Sequence, residues 1–347
     1  MDTPPGSQRR FSLRTSKSQP YQKDCYDSSA VSPALEYFID MEHYRSLEKV
    51  KLLKSWVTVG VFDGVHRGHQ QIIQRLTSGA HAIGVPAVVI TFDPHPAKVF
   101  GRGEINLLTL PEERAELLGN MGVDVVVTHP FNRDVANITA SEFMQTLRDR
   151  LGVDHLVLGY DSTLGRNREG NATRLTEIGL GLGYTVEVVS ALSDESGVIS
   201  STEIRKLITV GNVAEAARLL GRPYPLRGPV VHGDHRGRTI GFPTANVEYS
   251  REKIIPAGGI YACWAKVDGQ KYGAAVNIGI NPTFTPEKRT MNVEAYLLDF
   301  QRDIYDRNLE LEFIARLRDE MRFDSVNTLV KQIWDDVEMT RRILGTA

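Results

Sequence analysis

Three short strings in this chain combine residue types that can grip phosphate. The first, Gly60-Val-Phe-Asp-Gly-Val-His-Arg-Gly-His69, runs from an apolar segment through glycines into an amphipathic stretch. The N–H groups and macrodipole of a helix start favour an anion there, and Gly64 and Gly68 let the backbone approach it without a side-chain clash. Gly60, Phe62 and Asp63 belong to the same loop, and His66 and His69 can donate hydrogen bonds to phosphate oxygens as charge builds in a transition state. If a substrate phosphate attacks the α-phosphorus of ATP, positioning and charge neutralisation suffice, and no protein nucleophile is needed. The second string, Ile199-Ser-Ser-Thr-Glu-Ile-Arg205, sets the hydroxyls of Ser201 and Thr202 at an expected helix start and Arg205 one turn in, as a second phosphate clamp. The third, Gly233-Asp-His-Arg-Gly-Arg-Thr-Ile-Gly-Phe-Pro-Thr-Ala-Asn246, is a glycine-rich loop containing Gly233, Arg238 and Gly241. Its Thr244 and Asn246 present oxygen ligands to a hard cation, which suits Mg²⁺ bound with ATP phosphates. Taken singly, each string has an ordinary alternative: surface histidines beside a helix, a capped helix, and a polar hairpin turn.

Such strings need scaffolds. From Trp56 onward β-branched runs alternate with helical spacing. Strands are expected at Trp56–Val61, Ala87–Phe92, Val123–Thr128, His155–Leu158 and Thr185–Val189, and helices at Gln70–Ile83, Pro111–Leu118, Ser141–Leu151 and Ala172–Leu182. This alternation implies an α/β domain with a parallel, Rossmann-like sheet, whose ligands bind beyond the carboxyl ends of the strands. After Gly221 the pattern changes: Pro223, Pro225, Gly228 and Pro229 mark a boundary. Strands at Gly228–His232, Ile260–Lys266, Gly273–Ile278, Asn292–Leu298 and Leu309–Leu317 then imply a small β-barrel. A helix from Ser325 should pack on it through Val326, Leu329, Val330, Ile333, Val337 and Leu344, leaving Asp335, Asp336, Arg341 and Arg342 elsewhere.

The expected division is a disordered tail over 1–35, an α/β domain over 36–220 and a barrel domain over 221–347. Residues 1–35 hold too few apolar groups to bury a core. The chain has 347 residues, 41% of them hydrophobic, and 41 Lys+Arg against 43 Asp+Glu. That charge balance creates no field that would attract nucleic acid or an anionic membrane, and no apolar run approaches the roughly 20 residues of a membrane span. Only Cys25 and Cys263 are present, which argues against a disulfide framework and for a reducing cytoplasm.

The early HxGH string followed by a late STxxR string resembles the nucleotidyltransferase superfamily. Gly60 to Gln70, Thr91-Phe-Asp-Pro-His-Pro96 and Ile199 to Arg205 look like the FMN adenylyltransferase half of bacterial bifunctional FAD synthetases. Gly237-Arg-Thr-Ile-Gly-Phe-Pro-Thr-Ala-Asn246 resembles the riboflavin kinase family. So do Pro256-Ala-Gly-Gly-Ile-Tyr-Ala262, Asn277-Ile-Gly-Ile-Asn-Pro-Thr-Phe284 and Val293-Glu-Ala-Tyr-Leu-Leu-Asp-Phe300. The resemblance implies phosphorylation of riboflavin to FMN and adenylylation of FMN to FAD, with ATP as co-substrate, Mg²⁺ as cofactor, and Thr244 and Asn246 at the MgATP site. It also implies that Glu294 is the base for the riboflavin hydroxyl, although a Glu on a strand is ordinarily a solvated cross-strand partner. Asp161, Arg318 and Phe323 become candidate flavin contacts, Arg318 and Phe323 being equally readable as surface charge and core. The sequence departs from the family at Ser162, which stands where an aromatic residue is usual. That departure keeps open a riboflavin kinase whose first domain binds flavin, or is retargeted, without adenylylating it. The two sites are expected to be independent, so a chain ending near Gly221 should retain adenylylation.

Overall fold

Parallel strands buried on both faces require unbroken β-branched runs, and residues 87–92 are one such run, buried throughout. The computed structural model describes residues 41–101, 105–194, 197–233, 237, 240–280 and 291–346. The tail assigned to 1–35, and Arg238, lie outside the described residues.

The first half contains β1 (Glu42–Tyr44), β2 (Ser55–Val59), α1 (Arg67–Ala82), β3 (Ala87–Asp93), α2 (Pro96–Val99), α3 (Pro111–Gly119), β4 (Val125–Pro130), α4 (Arg133–Asn137) and α5 (Ala140–Leu151). It continues with β5 (Val153–Gly159), α6 (Ala172–Leu182), β6 (Thr185–Val189), the short pair β7 (Ser193–Asp194) and β8 (Gly197–Val198), α7 (Ser201–Thr209) and α8 (Val213–Leu220). Six parallel strands form one sheet in the order β1-β4-β3-β2-β5-β6. One face, with Val57, Val88, Ile90, Val127 and Leu156, packs on Met144 and Leu147 of α5 and Leu175 of α6. The other, with Val89, Val126 and Val157, packs on Ile73 and Leu76 of α1 and Leu118 of α3. Helices thus cover both sides, and the carboxyl ends of β2 and β3 open toward the Gly60–His69 loop.

The second half contains β9 (Tyr224–Val231), β10 (Ala245–Val247), β11 (Gly259–Val267), β12 (Gln270–Ile280), β13 (Met291–Leu297), β14 (Asn308–Arg318) and α9 (Val326–Leu344). Its strands close an antiparallel barrel in the order β10-β13-β12-β11-β14-β9. Alternation sets its inside: Val293, Ala295 and Leu297 are buried and join the core with Tyr261, Val276 and Phe313, so Glu294 and Tyr296 face outward.

Several elements differ from expectation. β1 and β10 are three residues long, too short to show a period. β9 begins at Tyr224 rather than Gly228, because Pro225 and Pro229 are part of the strand and not a boundary. Its second neighbour, β10, pairs only with Val230 and Val231, so Pro225 lies on a stretch with one open edge, where a missing N–H is tolerated. On α9, Val330, Ile333 and Val337 do pack against Phe242 and Leu298, but Val326 is 59% exposed. Asp336, expected off the packed face, is buried and accepts a forked pair of hydrogen bonds from Arg318, at 2.9 and 2.6 Å.

A buried ion pair is costly to break from one side, because the surviving charge stays desolvated. Asp336→Ala should therefore cost roughly 3–5 kcal/mol, while Asp335→Ala one residue away should cost about 0.5 kcal/mol or less. Denaturant unfolding of both variants checks this, and equal losses would contradict it.

Candidate active sites

The Gly60–His69 loop leaves β2 through an unusual backbone. Phe62 (φ 49°), Gly64 (φ 82°) and Val65 (φ 41°) all adopt left-handed conformations. Only glycine does so freely, and a β-branched residue such as Val65 resists it, so surrounding contacts must hold the loop. At Gly64 a Cβ would also lie 2.8 Å from a Leu108 methyl.

The central contact is Asp63, a carboxylate 1% exposed. It accepts from the N–H groups of Leu108 (3.0 Å) and Thr109 (2.8 Å), from the Thr109 hydroxyl (3.0 Å) and from the Arg205 guanidinium. Arg205 also donates to the Asn106 carbonyl at 3.0 Å. Its helix, α7, is capped by Ser200, whose side chain accepts from the Glu203 N–H, and Ser201 donates to the Asp63 carbonyl at 2.8 Å. The two strings far apart in sequence therefore meet through one buried carboxylate. Ser201 anchors the helix start there, whereas Thr202 is exposed.

His66 caps α1: its Nδ1 accepts from the His69 N–H at 3.3 Å, which leaves the ring proton on Nε2. The His66 and His69 rings stack with centroids 3.6 Å apart, and Phe62 meets His69 edge-on at 5.1 Å. At Gly68 a Cβ would press on the His66 ring at 3.3 Å. Burial lowers His66 to about 4, against the attraction of Asp63. His69 lies well below the usual histidine range through burial, with His66 and Arg114 adding to the effect. Both rings are thus neutral near pH 7, each carrying one ring N–H rather than a positive charge.

The sequence reading missed two residues of this site. Arg114, 1% exposed, donates to the carbonyls of Val61 (2.8 Å) and Phe92 (3.3 Å) at the ends of β2 and β3. An arginine beside Ala115 and Leu118 on a packed helix face was the available signal. His95 caps α2, accepting from the Ala97 N–H at 3.1 Å, and feels the charges of Asp63 and Arg205 after burial. Asp161 is exposed beyond β5. Next to it, Ser162 accepts from the Gly159 N–H and donates its own N–H to the Gly159 carbonyl, both at 3.0 Å, closing the turn where the family carries a ring.

The barrel's candidate residues lie on its outer face. Asn246, Glu294 and Asn277 are direct cross-strand partners over β10, β13 and β12, so their side chains share that face. The Thr244 hydroxyl lies 3.4 Å from a Glu294 oxygen. Asn277, also missed as a candidate, has a buried Oδ1 with no hydrogen-bond partner among the described residues. Gly233 approaches this row closely, since a Cβ there would meet the Asn246 amide at 2.2 Å. Gly241 is left-handed, at φ 87°, and the adjoining Phe242 packs edge-on against Tyr296 and against Trp334 of α9. Arg318 is locked onto Asp336 and Phe323 is half-buried; neither touches the Asn246–Glu294–Asn277 row in the contacts described.

An α/β half with a glycine- and histidine-bearing loop at its strand ends is followed by a barrel whose outer face gathers Asn246, Glu294 and Asn277, an arrangement of the class that transfers phosphate groups. Comparison with known proteins makes this specific. The FAD synthetase family matches residues 49–203 and the riboflavin kinase family residues 220–344. The bifunctional riboflavin kinase/FMN adenylyltransferase of Listeria monocytogenes is 37% identical over 309 residues, covering 88% of this chain and 96% of that one. Its counterpart in Bacillus subtilis is 36% identical over 302 residues, covering 86% and 95%. A solved structure described as a macrolide-efflux protein from Streptococcus pneumoniae aligns with TM-score 0.80 at 35% identity, covering 87% of this chain and 98% of that one. That description is of the other protein; here, none of the described helices is long and apolar enough to cross a membrane. The chain belongs to the bifunctional riboflavin kinase/FMN adenylyltransferase family.

The neutral state of His66 has a consequence for stability. The unfolded chain binds a proton near pH 6.5 and the folded chain only near 4, so stability is full above about 6.5 and is lost as pH falls toward 4. The loss is on the order of 3 kcal/mol for this one ring. His66→Gln should reduce the slope of stability against pH across that window, with His69 and the other buried histidines supplying the remainder, and an unchanged slope would show that His66 is not a buried neutral group.

Proposed function

We propose that this bifunctional riboflavin kinase and FMN adenylyltransferase performs its reactions at separate centres, adenylylation in residues 36–220 and phosphorylation in residues 221–347. The observation that carries the kinase assignment is the row of oxygen-bearing side chains around Glu294. The riboflavin primary hydroxyl attacks the γ-phosphorus of ATP, Glu294 takes the hydroxyl proton, and ADP leaves. Thr244 and Asn246 would hold Mg²⁺ together with ATP phosphates. The donor set fits a hard cation, being all oxygen and including the nearby Asn277 Oδ1, which has no hydrogen-bond partner among the described residues. Bound there, the ion would neutralise phosphate charge. Gly233, Arg238 and Gly241 belong to the loop that wraps the nucleotide.

In the first domain the FMN phosphate attacks the α-phosphorus of ATP and pyrophosphate leaves. His66 and His69 donate N–H groups to the phosphates, Arg205 supplies the positive charge, and Gly60, Phe62, Gly64, Gly68, Ser201 and Thr202 shape the phosphate pocket. Asp63 orients Arg205 and the loop. Its carboxylate is already saturated by donors, so it serves the nucleotide indirectly. Asp161, Arg318 and Phe323 are assigned to flavin contact, Arg318 requiring release from Asp336. The protein acts in the cytoplasm, in keeping with the buried free thiol of Cys263, and its partners are small flavins and ATP, not nucleic acid or membrane.

Glu294→Ala should lower FMN formation by about 10²–10⁴-fold and leave FMN adenylylation within twofold. His66→Ala should do the reverse, lowering adenylylation by about 10²-fold or more. Rates of both reactions on each variant provide the check. Loss of both activities in a folded variant would refute the assignment.

A further inference from the structure

The adenylyltransferase loop is gripped from the other domain. Arg222, the residue directly after Gly221, donates from one nitrogen to the Gly64 carbonyl at 2.7 Å and from another to the Val65 carbonyl at 3.2 Å. These carbonyls belong to the left-handed stretch between Asp63 and His66. Gln70 reinforces the same point, donating to the carbonyls of Val65 (2.9 Å) and Leu220 (2.7 Å). On the opposite side of Asp63, the segment supplying its Leu108 and Thr109 donors is itself bridged to the barrel domain. The Leu107 N–H donates to the Glu252 carbonyl at 2.6 Å, and the Ile254 N–H donates to the Leu107 carbonyl at 2.9 Å. Between these two bonds Lys253, 3% exposed, pairs with Glu113 of α3 and lies over the Tyr224 ring at 5.2 Å. Glu113 in turn accepts from the Leu110 N–H at 2.9 Å.

We infer that Arg222 is a positioning residue for FMN adenylylation, and that the barrel domain completes the adenylyltransferase site by holding both sides of Asp63. A backbone with Phe62 and Val65 at positive φ persists only when its surroundings over-determine it. Arg222 satisfies two of its carbonyls with one rigid fork, and burial lowers the guanidinium to about 10, leaving it charged near pH 7. Without that fork the loop relaxes, carrying His66 away from the phosphates and loosening Arg205 on Asp63. The expectation that a chain ending near Gly221 adenylylates independently is thereby reversed, since such a chain lacks Arg222 and residues 252–254.

This inference rests on the adenylyltransferase reading, which FMN-to-FAD conversion by the parent chain tests by itself. The discriminating experiment uses full-length Arg222→Ala and Arg222→Lys, with kcat and KM measured for FMN adenylylation and for riboflavin phosphorylation on the same preparations. Arg222→Ala should lower adenylylation kcat at least tenfold with riboflavin phosphorylation within twofold. Arg222→Lys, which keeps the charge but not the fork, should recover part of it. If Arg222→Ala does not fold, Arg222→Lys alone decides, with a several-fold drop confined to adenylylation kcat. Parent-like adenylylation in either variant, or a parallel fall in both activities, would overturn the inference.

Discussion

The Asp63 carboxylate is the constraint on which the first centre is built. An ionised group 1% exposed to solvent is tolerable only if its lone pairs are filled and its charge is met. Leu108 and Thr109 fill them, and Arg205 meets the charge. Satisfying Asp63 thus fixes three pieces of chain at once: the loop that carries the histidines, the segment before α3, and the first turn of α7. The left-handed backbone of Phe62, Gly64 and Val65 is the strain accepted for that convergence, and Arg222 and Gln70 hold its carbonyls from the other side.

The same economy governs the barrel. Period-two alternation puts Val293 and Ala295 inside, which obliges Glu294 to face out, and register with Asn246 and Asn277 then gathers its partners. Beneath α9, Tyr296 and Phe242 form the apolar side of that face. The carboxylate proposed as the base is presented here without being buried in the core, so the residues that pack the barrel and those assigned to its chemistry sit on opposite faces of one strand.

Much of this was legible in the sequence because it follows from local pattern. The buried β-branched runs gave the parallel sheet, alternation gave the barrel, and glycines beside histidines marked the loop that leaves β2 and enters α1. What escaped has a common physical origin in contacts without local periodicity. β1 and β10 are too short to repeat. Arg114 and Asp336 look like ordinary surface charges until the carbonyls and the arginine that satisfy them are in place. The grip of Arg222 on Gly64 and Val65 is a side chain on backbone carbonyls some 157 positions away, and carbonyls carry no sequence signature. Ser162 could be recognised as a missing ring, but its turn-closing bonds to Gly159 could not.

The most direct measurement is a time course of the purified chain with riboflavin, ATP and Mg²⁺, the flavins being separated by chromatography. Two working centres predict that FMN appears first and FAD follows as FMN accumulates. FMN without FAD, even when FMN is supplied directly, would contradict the account of the Asp63-centred site. Failure to consume riboflavin would contradict the account of the Glu294 face.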